Sequence, residues 1–160
     1  MARRRAPEMQ IDTDTMYRVT LATNRGDIVM DLDPRLAPAT VNNFVSLARD
    51  GFYDGLTFHR VVPGFVIQGG DPDGTGSGGP GYRFADETVQ GEYTAGAVAM
   101  ANAGPDTNGS QFFICLEDLV GRLPPSYNLF GHDVEGMAAV RAVQIGDRMD
   151  SVVIEERPAA

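Results

Sequence analysis

Apolar and polar residues alternate in the first stretch of this chain, most of the remainder reads as short strands broken by glycine and proline, and two stretches depart from that pattern. In Tyr17-Arg18-Val19-Thr20-Leu21-Ala22-Thr23, Tyr17, Val19 and Leu21 alternate with Arg18 and Thr20, which predicts a half-buried strand. Ile28-Val29-Met30-Asp31-Leu32 follows as a second strand, and Asn24-Arg25-Gly26-Asp27 between them supplies turn chemistry, so the sheet begins as an antiparallel hairpin. Further strands are predicted over 57–62, 65–69, 96–101, 111–116, 127–131 and 151–156. The first departure runs from Pro38 to Gly51. Val41, Phe44, Val45 and Ala48 recur at helical spacing and form one apolar face. Proline opens that helix, where its missing N–H costs nothing, and Gly51 stops it. The second departure is a short helix near Glu135–Val143, with Met137 and Val140 inward.

Residues 1–15 carry little apolar periodicity and are expected to form a flexible N-terminal arm, with one domain over 16–160. No repeat or change of composition divides that domain. Many antiparallel strands with two short helices predict a mainly β fold, either a closed barrel or a sandwich, with its ends covered by the helices. Periodicity alone does not choose between those two.

Composition narrows the function. The chain has 160 residues, enough for one domain with a packed core, and its 19 glycines and 10 prolines favour turns and short strands. A formal charge of −9 argues against nucleic-acid binding, which needs a basic face to displace counterions. Arg3-Arg4-Arg5 is the one basic run, and it reads as a solubilising tail. Cys115 is the only cysteine, so no intramolecular disulfide is available, and its apolar surroundings read as a small buried hydrophobe. No stretch has the length and apolarity of a membrane span, and Pro7-Glu8-Met9-Gln10 follows the arginines instead of an apolar leader. The expected compartment is the cytoplasm.

Several motifs imitate chemistry. Gly74-Thr75-Gly76-Ser77-Gly78-Gly79 satisfies the dinucleotide pattern, but Pro80-Gly81 follows where a helix must open, so it reads as a surface loop. Asp71-Pro72-Asp73 begins like a calcium loop, yet the twelfth position is Tyr82 and not a bidentate glutamate. His59 and His132 lack zinc spacing, and Ser110 sits ahead of a strand and not on a strand-to-helix elbow. No metal or cofactor is expected.

Two segments remain: Phe58-His59-Arg60-Val61-Val62-Pro63-Gly64-Phe65-Val66-Ile67-Gln68-Gly69-Gly70-Asp71, and Ala99 to Ile114 with Ala101-Asn102-Ala103 and Gln111-Phe112-Phe113. Strand parity puts Phe58, Arg60 and Val62 on one face, and Gln111, Phe113 and Cys115 on another. Faces that mix apolar groups with a guanidinium or an amide fit a shallow apolar pocket with a hydrogen-bonding rim. The small side chains around Asn102 would let an extended peptide lie alongside. The same pattern would arise if Arg60 merely paired with an acid while the phenylalanines filled the core.

These two segments resemble the signature regions of the cyclophilins, the cyclosporin-binding family of peptidyl-prolyl isomerases. Gly26-Asp27-Ile28, Asn43-Phe44, Gly51-Phe52-Tyr53, Phe130-Gly131 and Glu135-Gly136-Met137 extend the resemblance over roughly residues 17–156. It implies an eight-stranded antiparallel β-barrel capped by two α-helices, and an enzyme that speeds rotation about X–Pro bonds and so assists folding. Arg60 matches the family's catalytic arginine. Phe65, Val66, Phe113 and Leu123 would line a proline pocket, Gln68, Asn102 and Gln111 would hydrogen-bond the substrate, and Ala101, Ala103 and Gly74 would line a neighbouring groove. The implied partners are proline-containing peptides and unfolded or flexible protein segments, with the chain acting as a monomer. One region departs from the family. Between Ile114 and Phe130 this chain has no tryptophan, and Tyr127 takes the place where many members carry a histidine. The missing indole is a family contact for cyclosporin, so weakened binding of that drug is expected. The alternative is a proline-peptide binding module or holdase whose catalysis is incidental.

Overall fold

The computed structural model describes residues 5–158. Eight strands form one antiparallel sheet: β1 (Thr15–Thr23), β2 (Gly26–Leu32), β3 (Arg60–Val62), β4 (Val66–Gly69), β5 (Ala97–Met100), β6 (Phe112–Cys115), β7 (Leu129–Glu135) and β8 (Met149–Pro158), in the order β3-β4-β6-β5-β7-β2-β1-β8. The helices are α1 (Pro38–Arg49) and α2 (Met137–Ala142). The first hairpin forms as expected, with Thr23 opposite Gly26 and Gly26 at φ 116°, a conformation glycine adopts without a Cβ penalty.

The sheet curls until its edges meet, which decides for the barrel. Residues 55–58, just ahead of edge strand β3, bond to the start of the other edge strand, β8. Gly55 N–H donates to Met149 O at 2.7 Å, Met149 N–H to Leu56 O at 2.8 Å, and Phe58 N–H to Asp147 O at 2.8 Å. The barrel interior is filled by residues such as Val19, Leu21, Ile28, Met30, Ile67, Val98, Phe112, Ile114 and Phe130, all essentially inaccessible to solvent.

Helix α1 lays Val41, Phe44, Val45 and Ala48 against this core. Phe44 stacks on Tyr53 with centroids 4.7 Å apart and meets the edge of Phe112 at 5.3 Å, favourable geometries for ring quadrupoles. No side chain at Ala37 caps the helix. Glu87 does so from a distant loop: its carboxylate accepts the N–H groups of Ala39 at 3.0 Å and Thr40 at 2.8 Å, and complements the helix dipole.

Part of the N-terminal arm is tied down. Gln10 N–H donates to Asn42 Oδ1 at 2.8 Å, Asn42 Nδ2 donates to Glu8 O at 3.0 Å, and Ile11 is buried. Arg3 and Arg4 of the basic run lie outside the described residues. Among the described residues, no helix is long and apolar enough to cross a membrane.

Candidate active site

A second apolar cluster sits on the outer face of β4, β5 and β6, and the register explains it. Arg60 pairs with Gln68, Gln68 with Phe113, and Phe113 with Ala99, so these side chains form one row across the sheet. The next row on the same face runs Val62, Val66, Cys115. The opposite face carries Val61, Ile67, Ile114 and Val98 into or against the barrel core. Gln111, Phe113 and Cys115 therefore share a face as their spacing predicts. Phe58 does not share one with Arg60. The β3 ladder begins only at Arg60, and Thr57 bridges instead to Arg148, so Phe58 enters the barrel interior while Arg60 is exposed on the other side.

A cavity of about 300 Å³ opens on this face, lined by Arg60, Phe65, Val66, Gln68, Ala101, Phe113, Leu123 and Tyr127. Val66 and Phe113 form a buried floor, and Phe113 meets Tyr127 edge to face at 5.4 Å. The chain from 116 to 128 makes the far wall and is pinned from several sides. Leu116 N–H donates to Phe65 O at 2.8 Å, and Leu119 N–H to Tyr93 O at 2.8 Å. Tyr93 donates its hydroxyl to Tyr127 O at 2.6 Å and accepts the Tyr127 N–H at 3.1 Å. The Arg122 guanidinium lies over the Phe65 ring at 5.6 Å.

The polar rim is a relay with one direction. Arg60 Nη1 donates to Gln68 Oε1 at 3.2 Å, Gln68 Nε2 donates to Gln111 Oε1 at 3.0 Å, and Gln111 Nε2 donates to the carbonyls of Gly76 and Gly78, each at 2.9 Å. Each amide is oriented by the next, and the guanidinium keeps its other donors for a ligand. The relay ends on the glycine-rich loop, whose backbone N–H groups turn inward on Asp71. That carboxylate is almost fully buried and accepts N–H groups from Asp73, Thr75, Gly76 and Gly78. The nest of N–H groups, which could otherwise hold a phosphate, is thus filled by the chain's own anion. Burial alone would raise the Asp71 pKa, but the four N–H donors outweigh it and hold it below the usual carboxylate range.

A larger groove of about 660 Å³ runs beside the pocket, and Ala101 lines both. Asn102, Ala103 and Gln111 also line the groove, while Gly74 is absent from its lining and sits in a turn, its N–H donating to Asp71 O at 3.1 Å. Asn102 commits its side chain internally: Nδ2 donates to Ser126 O at 2.8 Å, and Oδ1 accepts the Gly104 N–H at 3.2 Å. Its side chain braces the pocket wall, and its backbone stays open along the groove.

Other titratable groups here are unsuited to acid–base work. His59 has both ring nitrogens buried without a partner among the described residues, and burial lowers its pKa against the opposing pull of Asp71. Burial pushes the Cys115 thiol up to about 12, so it stays protonated. The sequence reading missed Tyr93, Arg122 and Arg83. Tyr93 could not be found from local pattern, because its partner Tyr127 lies 34 residues away.

The arrangement has counterparts. Residues 18–159 match the family model described as cyclophilin type peptidyl-prolyl cis-trans isomerase/CLD. A peptidyl-prolyl cis-trans isomerase of Synechococcus elongatus is 49% identical over 141 residues, covering 87% of this chain and 97% of the relative. Peptidyl-prolyl cis-trans isomerase B of Bacillus subtilis is 51% identical over 130 residues, covering 80% and 90%. The crystal structure of a Cryptosporidium parvum cyclophilin type peptidyl-prolyl cis-trans isomerase superposes with a TM-score of 0.82 at 33% identity, covering 89% of this chain and 99% of that one. The same protein in the presence of the dipeptide Ala-Pro gives a TM-score of 0.75 at 34% identity, with the same coverage.

Proposed function

The chain belongs to the cyclophilin-type peptidyl-prolyl cis-trans isomerases, and from that premise we propose that Arg60 catalyses X–Pro rotation over the pocket of Phe65, Val66, Phe113, Leu123 and Tyr127. The observation that carries the proposal is the conjunction of a largely apolar pocket with an exposed guanidinium oriented by Gln68 at its rim.

Rotation of an X–Pro amide must break its resonance, at a barrier of about 18–20 kcal/mol. An uncatalysed rate on the order of 0.01 per second follows from about 20 kcal/mol, and reaching on the order of 1000 per second needs roughly 7 kcal/mol of transition-state stabilisation. No bond is made or broken. In the twisted state the prolyl nitrogen becomes pyramidal and gains a lone pair. A donor aimed at that pair acts only in the transition state, which is what raises turnover. Arg60 supplies a charge-assisted donor without losing its proton. The pocket holds the ring and excludes water, which strengthens that bond. Gln68, Gln111 and the backbone at Ala101–Ala103 hold the flanking chain while the other side turns.

Proline-containing peptides and flexible protein segments are the proposed substrates, bound by a monomer. The presence of Ala-Pro in one structural neighbour accords with this reading. Tyr127 stands at the pocket wall of a chain without tryptophan, so cyclosporin is proposed to bind weakly. The working domain is 16–160, with 1–15 as an arm whose residues 8–11 meet α1. A cytoplasmic location is proposed with it, supported by a single buried cysteine and a fold that uses no disulfide.

The test is Arg60→Ala in a peptide isomerisation assay. A loss of at least tenfold in kcat/KM, with the fold intact by circular dichroism, is expected. Unchanged turnover would overturn the assignment and favour a binding module.

A further inference from the structure

The β3–β4 hairpin has two faces, and the proposed active site uses one of them. Arg60, Val66 and Gln68 line the pocket, while Val61 and Ile67, which alternate with them, line a separate groove of about 600 Å³ on the other side. The two cavities share no lining residue, but they meet at the turn, where Gly64 borders the groove and Phe65 the pocket. Ile67, Leu116 and Val143 are buried and form an apolar floor.

The rim of the groove presents three features to a partner. The first is Ile145, 69% exposed, the highest value for a large apolar side chain among the described residues. It does not sit on a loose loop. Gly146 N–H donates to Phe58 O at 2.9 Å and Gln144 N–H to Asp147 Oδ2 at 2.7 Å, and the Asp147 carboxylate also accepts Arg25 Nε at 2.7 Å and Asn24 Nδ2 at 2.9 Å. The connection from α2 to β8 therefore holds the side chain out on a fixed wall, and a partner that covers it recovers the cost of its exposure. The second feature is a pair of opposite charges. Among the described residues Glu117 has no hydrogen bond or ion pair, and Arg141 makes only a long contact from Nη2 to Leu116 O at 3.5 Å. The third is an open sheet edge. Strand β3 ends the sheet order, and the bonds that close the barrel come from residues 55–58 ahead of it, so among the described residues no strand pairs with the outer edge of Arg60–Val62.

An open edge beside an apolar groove suits an extended chain, whose backbone bonds the strand while an alternate side chain fills the groove. Resting on the reading that flexible protein segments are the substrates, we propose that this groove is a second polypeptide site that does not require proline. It takes an extended segment of a substrate protein, with an aliphatic or aromatic side chain against Val61 and Ile145, a basic neighbour at Glu117 and an acidic one at Arg141. A longer chain with its proline in the pocket reaches the groove by passing over the Pro63–Gly64 turn.

The experiment follows fluorescence anisotropy of a labelled proline-free peptide with a Leu-Val-Phe core between Lys and Glu. Wild type should bind it saturably with Kd below about 1 mM, and an excess of a short X–Pro peptide should leave that binding in place. Ile145→Glu should weaken it at least about fivefold through lost apolar contact. Ile145→Met, which keeps that contact, should bind like wild type. Ile145→Glu should retain wild-type kcat/KM on the short X–Pro peptide, which also reports that the variant is folded; if it does not, Ile145→Ser repeats the comparison without a charge. Absence of saturable binding to wild type, displacement by the X–Pro peptide, or equal binding by the folded variant overturns the proposal. Self-association of wild type that Ile145→Glu removes, seen by sedimentation, overturns it in favour of a second copy of this chain. If Arg60→Ala leaves turnover intact while the proline-free peptide still binds, the pocket assignment fails and the groove stands, so the two failures are distinguishable.

Discussion

Asp71→Asn tests how far the proposed catalytic rim depends on a buried anion. Asp71 is 1% exposed, and Oδ1 accepts Asp73 N–H at 2.8 Å while Oδ2 accepts Thr75, Gly76 and Gly78 at 3.0, 2.5 and 3.1 Å. Asparagine keeps the shape but has one oxygen. With that oxygen on the three-donor side, its amide nitrogen faces the Asp73 N–H, and a charge-assisted bond worth roughly 1.5–3 kcal/mol is lost. The other three become neutral bonds, about half as strong. Relief of the buried charge returns part of the loss. The expected net destabilisation is about 2–3 kcal/mol, or roughly 5–10 °C in Tm for a chain of this size. Urea and thermal unfolding at neutral pH measure it. Because Gly76 and Gly78 also accept Gln111, kcat/KM should fall several-fold in the folded variant. The pH profile adds a signed check. Asp71 titrates below the ordinary range, so its stabilisation is complete above the unfolded value of about 4 and is lost as pH falls through the folded one. The gap between wild type and variant should be flat near neutrality and close in acid. A variant within about 0.5 kcal/mol of wild type at pH 7 refutes the reasoning, since that is the range of an inert surface change.

Two further outcomes follow from the same geometry. Gln68→Ala removes the acceptor that orients Arg60 and the donor to Gln111, so kcat should fall roughly tenfold, about 1.4 kcal/mol, with KM changed less; steady-state kinetics on an X–Pro peptide measures it, and an unchanged kcat removes the relay from the mechanism. Asp133 has a buried Oδ1 without a partner among the described residues, and burial, with Glu135 beside it, raises its pKa to about 6. The folded state therefore holds that proton more tightly than the unfolded one, and stability should fall as pH rises from about 4 to 6. Asp133→Asn should flatten that slope and add on the order of 1 kcal/mol at pH 7.5, read by urea unfolding.

The elements were legible because their signals are local. Alternation placed β1, short runs broken by glycine and proline placed the later strands within a few residues, and the spacing of Val41, Phe44, Val45 and Ala48 placed α1. Arg60, Gln111 and Phe113 stood out for a local reason too, as polar and aromatic groups on short strands. Other features depend on partners far along the chain. Phe58 left the predicted face because the ladder stops at Arg60 and Thr57 bridges to Arg148, 91 positions later in number. The cap of α1 is Glu87, which no pattern around Pro38 announces. Asn102 offered a substrate contact by residue type, but the fold spends its side chain on Ser126.

The glycine-rich segment divides the two kinds of information most sharply. Pro80-Gly81 ruled out a helix and therefore a dinucleotide site, because proline and glycine carry that consequence in any context. That the loop wraps Asp71, and through Gln111 and Gln68 steadies Arg60, required four separate segments to meet. Residue type determined which groups could donate and accept. Only the curled sheet, by setting the register of β3, β4 and β6, decided which of them face one another.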